Sequence, residues 1–375
     1  MRRLALAFCA LAACATGRGP AAPSPPEEIR YADAELVEAT PLGVELAGKN
    51  DEELFAVGTA AFAGGDFTRA ASAFGRLADL FPASRHHPAA LYNAGLAHQR
   101  LAEWRPALER FRALERSDVG PDAGEAAFRA AECLWHLGEL AEARAVLDRL
   151  AGRGDLALLD RVRALTWRGV VELDQGDAEA AEASLRLALR AWGGGADRER
   201  LDDSLPAQAQ YYLGEIYRRH FQAVKLDPSR DGEARLEQAL ELKAELLLSA
   251  QGHYLRAIRM GSPGWAVASG YRIGELYDEL HAHLTEAAMP PGLDAEAQAA
   301  YRAELAGKVR VLLSKAVAVY ERTLDAAQRA RVENAFVERT QASLDRVKRA
   351  LALDGAVAGP EAAGALPPDA DPSRP

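Results

Sequence analysis

The sequence predicts an all-α protein, an α-solenoid of helix-turn-helix repeats with a disordered N-terminal tether and a disordered C-terminal tail. Three observations carry that prediction. A pattern of the form small-x6-[Gly/Ala]-[Asp/Glu]-x3-Ala-x3-bulky recurs four times at intervals of 36 to 38 residues, the period of one two-helix unit. No stretch alternates apolar and polar residues as a strand would, and alanine dominates throughout. Both ends of the chain are instead rich in Pro, Gly and Ala, a composition that cannot bury a core.

Residues 1–13 read as a targeting segment. Arg2 and Arg3 form a basic start, Leu4 to Ala13 a short apolar run, and Leu11-Ala12-Ala13-Cys14 resembles a lipobox. In proteins with that motif the signal is cut before the cysteine and its thiol is acylated, which makes Cys14 the expected lipidation site. The alternative is an ordinary signal peptide, since Ala13-Cys14-Ala15 also fits a small-x-small cleavage site. The run is too short to span a bilayer as a retained helix. Ala15 stands where an aspartate would resemble an inner-membrane retention signal, so an outer-membrane location facing the periplasm is expected, with surface display as the alternative. Residues 14–48, with Gly17, Gly19, Pro20, Pro23, Pro25 and Pro26, form a linker that spans on the order of 30 Å as a flexible coil.

Asn50-Asp51-Glu52-Glu53 offers an N-cap with a glutamate three residues later, so the helices begin near residue 51. The four regular copies occupy 49–192: Gly58 with Ala70 and Phe74, Gly95 with Ala107 and Phe111, Ala131 with Ala143 and Leu147, and Gly169 with Ala181 and Leu185. A glycine inside a helix costs about 1 kcal/mol relative to alanine, so these glycines are best explained by close helix packing. Gly65-Asp66, Gly138-Glu139 and Gly176-Asp177 supply a residue tolerant of positive φ and then a carboxylate at the next helix start. Pro82 stops the second helix of the first copy.

This pattern resembles the tetratricopeptide (TPR) family, most clearly in Ala90-Leu91-Tyr92-Asn93-Ala94-Gly95 followed by Ala107 and Phe111. His98 and Glu172 depart from it, standing where the family has a large apolar residue. Residues 193–351 continue in looser register as irregular TPR-like repeats. Tyr211-Tyr212-Leu213-Gly214-Glu215-Ile216-Tyr217 and Tyr271-Arg272-Ile273-Gly274-Glu275-Leu276-Tyr277 are near copies 60 residues apart, so the helix between them is long or interrupted. Glu233 to Arg259 suits a long helix, with Leu236, Leu240, Leu247 and Ile258 as its apolar residues, ended by Gly261-Ser262-Pro263-Gly264. A final pair is expected at Asp294–Gly307 and Lys308–Ala330, the latter carrying Ala316 and Tyr320, with a capping helix over Glu333–Leu351 and a disordered tail over 352–375.

The function classes narrow from composition. A net charge of −10 repels nucleic acid and anionic lipid. With Cys9 removed and Cys14 acylated, Cys133 cannot form an internal disulfide and reads as a small buried hydrophobe. No HExxH, GxxxxGK[ST], GxSxG or CxxC is present. His281 and His283 project about 200° apart on a helix, and His86-His87 reads as a solvated pair in a turn. No catalytic residue, cofactor or metal site is therefore expected.

Partner binding is the reading that the resemblance implies. In TPR proteins the first helix of each repeat borders a groove where peptides dock, and the candidate residues there are Phe55, Phe62, Tyr92, Phe128, Trp135, Tyr211 and Tyr271. They are either anchors for a partner or consensus packing residues. Phe55 and Thr59 stand where a chaperone-type carboxylate clamp would have Lys and Asn, which argues against that clamp. The layout is similar to the helical-repeat lipoprotein of the outer-membrane assembly machinery. The stretch from Tyr301 to Leu324 loosely resembles TPR lipoproteins of the adventurous gliding-motility apparatus. Both imply a scaffold binding other envelope proteins or peptides, with coordination of cell-wall enzymes as the alternative.

Overall fold

The computed structural model describes residues 41–116, 121–193, 203–226, 228–287, 289 and 292–357. The targeting segment, Cys14, linker residues 14–40 and the tail beyond 357 lie outside them. Among the described residues every regular element is helical, and no helix is long and apolar enough to cross a membrane. The chain divides into two compact units, one ending at Asp177 and the other beginning at Ala178.

The first unit contains α1 (Pro41–Leu46), α2 (Asp51–Ala63), α3 (Phe67–Leu80), α4 (His87–Arg100), α5 (Trp104–Arg116), α6 (Pro121–Leu137), α7 (Leu140–Ala151) and α8 (Leu158–Gln175). The short α1 corrects the expectation of linker up to residue 48: Leu46 is buried in the core of this unit and Glu45 pairs with Arg69. At the start of α2 a reciprocal capping box forms, the Glu53 N–H donating to Asn50 Oδ1 and the Asn50 N–H to Glu53 Oε2, each at 2.9 Å. Asp66 caps α3 by accepting from the Arg69 N–H at 3.0 Å.

The packing rule is visible atom by atom. A Cβ added to Gly58 would lie 2.7 Å from the Phe74 ring, and one added to Gly95 would lie 2.6 Å from the Phe111 ring. The ring of the second helix thus rests on the bare backbone of the first. In the third copy Ala131 and Leu147, both buried, exchange a methyl on one helix for an aromatic on the other. Turns between paired helices place Gly65, Gly138 and Gly176 at φ of +80°, +82° and +90°. The second copy puts Ala102 there, at φ +58°, a conformation that costs a non-glycine residue about 1–2 kcal/mol. Glu172, read as an irregularity, is almost fully buried yet lies 3.2 Å from an Arg144 guanidinium nitrogen and 3.8 Å from Arg168 Nε.

The second unit contains α9 (Ala178–Gly193), α10 (Ser204–Ala223), α11 (Pro228–Arg259), α12 (Pro263–Thr285), α13 (Ala295–Ala330) and α14 (Ala335–Val357). The same contact recurs here. A Cβ on Gly214 would lie 2.5 Å from the Tyr254 ring, and one on Gly274 would run into Tyr320. Pairs α10/α11 and α12/α13 are therefore the repeats of this unit. The expected break at Gly307 does not occur: α13 is one helix of 36 residues. A single glycine costs about 1 kcal/mol, too little to stop a helix flanked by Ala303-Glu304-Leu305-Ala306 and Lys308, and the Glu304–Lys308 pair at 2.6 Å bridges it.

A buried polar network joins α10, α11 and α12. The Tyr254 hydroxyl donates to Glu215 at 2.5 Å, Arg272 Nε lies 3.0 Å from Glu215, and Arg272 Nη1 donates to Glu275 at 2.5 Å. Arg218 reaches Glu275 at 3.0 Å and also meets Glu279. Lys243, fully buried in α11, donates to the carbonyls of Phe221 and Val224 at 2.7 and 2.8 Å and so satisfies the C-terminal end of α10. Burial, then Lys225, lowers its ammonium to about 8.

Two predictions follow from this geometry. Gly95→Ala should lower stability by about 1–3 kcal/mol because the methyl overpacks against Phe111, whereas Gly307→Ala, which meets nothing within 4 Å, should raise it by up to about 1 kcal/mol. Urea unfolding of the two variants distinguishes a packing glycine from an incidental one. Ala102→Gly should stabilise by about 1 kcal/mol, because it relieves a left-handed alanine; an unchanged or lower midpoint would contradict the assignment of that turn.

Candidate functional site

Of the first helices of the regular repeats, α2, α4 and α6 carry the sequence-predicted groove residues of the first unit. Phe55 is half-buried, edge-on to Phe74 at 5.7 Å and stacked by His86 at 4.3 Å. His86 is therefore part of a packed stack, also 3.1 Å from Glu52, rather than a solvated turn residue. Phe62 is half-buried and edge-on to Phe67 at 5.3 Å. Tyr92 is half-buried, its ring edge-on to Phe111 and its hydroxyl 3.4 Å from Glu125. Phe128 is buried, with the Arg163 guanidinium 4.4 Å above its ring. Trp135 is half-buried. Tyr211 and Tyr271 belong to the second unit, where both are buried. There the Arg272 Nε–H donates to the Tyr211 hydroxyl, the Tyr271 hydroxyl donates to Glu275, and burial first, then Glu275, pushes the Tyr271 phenol up to about 12. Three of the seven candidates, Phe128, Tyr211 and Tyr271, are thus buried packing residues.

Around Tyr92 the structure assembles a polar ladder from three successive first helices. Arg163 on α8 donates through both terminal nitrogens to Glu125 on α6, at 2.5 and 3.1 Å. Arg129 adds a bond to Glu125 at 3.1 Å and reaches Glu132 at 3.3 Å, and Gln99 on α4 donates to Glu132 at 3.3 Å. Burial opposes ionisation of Glu125, but Arg163 and Arg129 outweigh it and hold the carboxyl below its ordinary value. The ladder is charge-balanced and half-buried. It fixes the spacing of α4, α6 and α8 and leaves little unspent charge for a ligand.

Beside it lies an aromatic cluster that the candidate list captured only through Trp135. Trp104, at the start of α5, stacks on His136 at 3.6 Å with rings 7° from parallel. Trp135 is edge-on to His136 at 4.7 Å and to Trp167 of α8 at 5.7 Å, and its indole N–H donates to Asp174 at 2.8 Å. All four rings are partly buried, and the three tryptophans pack against the core of this unit while keeping an edge at the surface. Their signal was present in the repeat register: Trp167 stands two residues before Gly169, where Asn93 and Arg129 stand in earlier copies, and His136 stands five after Ala131.

The arrangement offers contact surface rather than chemistry. Cys133 is buried and its thiol is pushed up to about 12 by burial and then Glu132, which makes it a poor nucleophile. Among the described residues no three His, Cys, Asp or Glu side chains converge as metal ligands.

The ladder makes a pH-dependent prediction. Glu125 has a depressed carboxyl, so its contribution is full above the unfolded value near 4.5 and is lost as pH falls through the folded value. Glu125→Gln should therefore cost about 1–2 kcal/mol at pH 7, and the gap to the parent should close on acidification. A gap constant between pH 7 and pH 3 in urea titrations would refute the ion-pair account.

Comparisons with known proteins agree with this architecture. Two family models, both described as tetratricopeptide repeat, match residues 54–84 and residues 92–157 and 153–196. No curated protein sequence matches the chain. Among solved structures, a tetratricopeptide repeat protein from Parabacteroides merdae is 16% identical and covers 80% of this chain and 98% of its own, at a TM-score of 0.36. A TPR repeats protein from Bacteroides fragilis is 17% identical, covering 70% of this chain and 98% of its own at 0.29. A Rap protein complexed with Competence and Sporulation Factor is 13% identical, covering 84% and 80% at 0.36. Repeats of this kind are interaction scaffolds, typically non-enzymatic, that bind other proteins or peptides. Residues 54–84 and 92–196 of this chain are tetratricopeptide repeats.

Proposed function

We propose that this protein is a lipid-anchored scaffold that holds together a cell-envelope complex, with Cys14 acylated and the repeats facing the periplasm from the outer membrane. The observation that carries the partner-binding half is the partly buried, surface-reaching cluster of Trp104, Trp135, His136 and Trp167 on α5, α6 and α8. Tryptophan anchors of this kind dominate binding energy because they offer a large apolar area at low entropic cost. The Leu11-Ala12-Ala13-Cys14 motif and the Pro- and Gly-rich linker support the anchored half, and stable anchoring requires more than one acyl chain. Outer-membrane protein assembly and gliding motility are the two processes that the sequence resemblances favour.

A photo-crosslinking residue at position 135 in intact cells should capture envelope proteins, and Trp135→Ala with Trp167→Ala should weaken the captured complex by about 30-fold, one hot spot's worth. Cys14→Ser should move the protein to the soluble fraction without changing its urea midpoint. Crosslinks to lipid alone, or none, would overturn the scaffold reading; membrane retention of the Cys14 variant would overturn the anchor.

A further inference from the structure

The second unit carries a cationic cleft that the groove does not include. It is open, about 510 Å3 in volume, and lies between α9, α10 and α11, lined by Arg186, Arg190, Gln210, Leu213, His253 and Arg256. All three arginines are exposed. Arg186 is engaged by Glu182 at 2.6 Å, and that carboxylate also accepts the Tyr217 hydroxyl at 2.9 Å. Among the described residues neither Arg190 nor Arg256 meets a carboxylate; Arg256 Nε donates to Gln210 Oε1 at 3.3 Å. The same buried oxygen is bonded to His253 Nδ1 at 2.9 Å, and the imidazole stacks on Tyr217 at 5.3 Å. Gln210 therefore orients two cleft groups at once.

Two uncompensated guanidinium groups converging in a protein of net charge −10 are a local inversion of the field. We propose that this cleft receives a carboxylate-bearing segment of a partner protein, an Asp or Glu flanked by an apolar residue. Guanidinium forks match a carboxylate in two-point geometry, and the partly buried Leu189 supplies an apolar edge for the neighbouring side chain. A nucleic acid would need a run of phosphate contacts along an extended basic surface, which an acidic chain does not offer beyond the cleft. His253 adds a pH dependence. Burial first, then Arg256 on its own helix and Arg186 on α9, against Glu182, hold the imidazole neutral down to about 4. A carboxylate in the cleft favours the imidazolium, so binding tightens as pH falls.

The test is fluorescence anisotropy with the full chain and a fluorescein-labelled Leu-Glu-Glu-Leu-Glu-Glu peptide. Saturable binding is expected, weakened at least tenfold by Arg190→Gln with Arg256→Gln and to a lesser extent by the lysine pair R190K/R256K, which keeps the charge and loses the two-point fork. It should be stronger at pH 5 than at pH 7 and untouched by Trp135→Ala, which separates its failure from failure of the aromatic surface. Both arginines are exposed, so equal urea midpoints are expected and serve as the folding control. Affinity indifferent to the glutamine pair, or equal for a Leu-Lys-Lys-Leu-Lys-Lys peptide, overturns the proposal. Arginine-dependent binding of phosphatidylglycerol vesicles without peptide binding overturns it in favour of a membrane, and peptide binding that appears only after deletion of 358–375 overturns it in favour of the chain's own tail.

Discussion

At four helix crossings in the two units the packing depends on a ring lying against a helix backbone that has no side chain. Phe74 on Gly58, Phe111 on Gly95, Tyr254 on Gly214 and Tyr320 on Gly274 are the same contact made four times. Each glycine weakens its helix by about 1 kcal/mol, and burying an aromatic ring at the crossing recovers more than that. The contact also fixes rotation, since a ring seated on one glycine leaves only one face of each helix toward the core. Where the first helix carries alanine instead, at Ala131, the second carries Leu147, and the summed volume is kept. In α12 a second close approach lies one turn before Gly274: a Cβ at Gly270 would run into Thr323.

This contact explains what could be read from the sequence and what could not. In the first unit the glycine and its ring are 16 residues apart, so the period exposes the pair, the turn and the caps together. In the second unit the separations are 40 and 46, because α11 and α13 extend by several turns before they reach the crossing. Ala250-x3-Tyr254 has the same form as Ala70-x3-Phe74, but nothing in the spacing points to it. Gly307 looked like a stop because glycine usually marks one; only the pairing of α13 along α12 shows it to be incidental. For the candidate site, aromatic identity was legible and burial was not. Tyr211 and Tyr271 carry the same letter as Tyr92, yet both are buried, where Arg272 donates to the Tyr211 hydroxyl and the Tyr271 hydroxyl donates to Glu275, partners that a one-dimensional pattern cannot express.

Charge is used in opposite ways in the two units. In the first, ion pairs run between equivalent helices at the surface, Arg110 with Asp79, Arg112 with Glu142 and Arg149 with Glu115. Each contributes about 0–1 kcal/mol, and their value lies in register rather than in stability. In the second, Arg218, Arg272, Glu215, Glu275 and Glu279 are taken out of water together. Burial first, then Glu275, raises the Glu279 carboxyl, while Arg272 and Arg218 outweigh burial at Glu275 and lower it. Such a network is costly to break and of little net benefit to form; it specifies which faces of α10, α11 and α12 meet.

The repeat also determines where recognition can reside. The small residue, the residue three before it, the alanine of the second helix and the bulky residue after it are committed to the crossing, so a partner that read them would have to unfold the unit. Positions two before and four or five after the small residue are less committed and differ between copies. In the first unit they hold Asn93, Arg129 and Trp167, and Phe62, Gln99, Trp135 and His136, all partly buried, while Leu173, four after Gly169, is drawn into the core. The cationic cleft obeys the same logic from the other helix of the pair: Arg186 and Arg256 stand beside Leu185 and two residues after Tyr254, just outside the buried stripe. On the proposed reading, the aromatic surface selects by desolvation of apolar area and the arginine cleft by charge, and neither draws on the contact that folds its own unit.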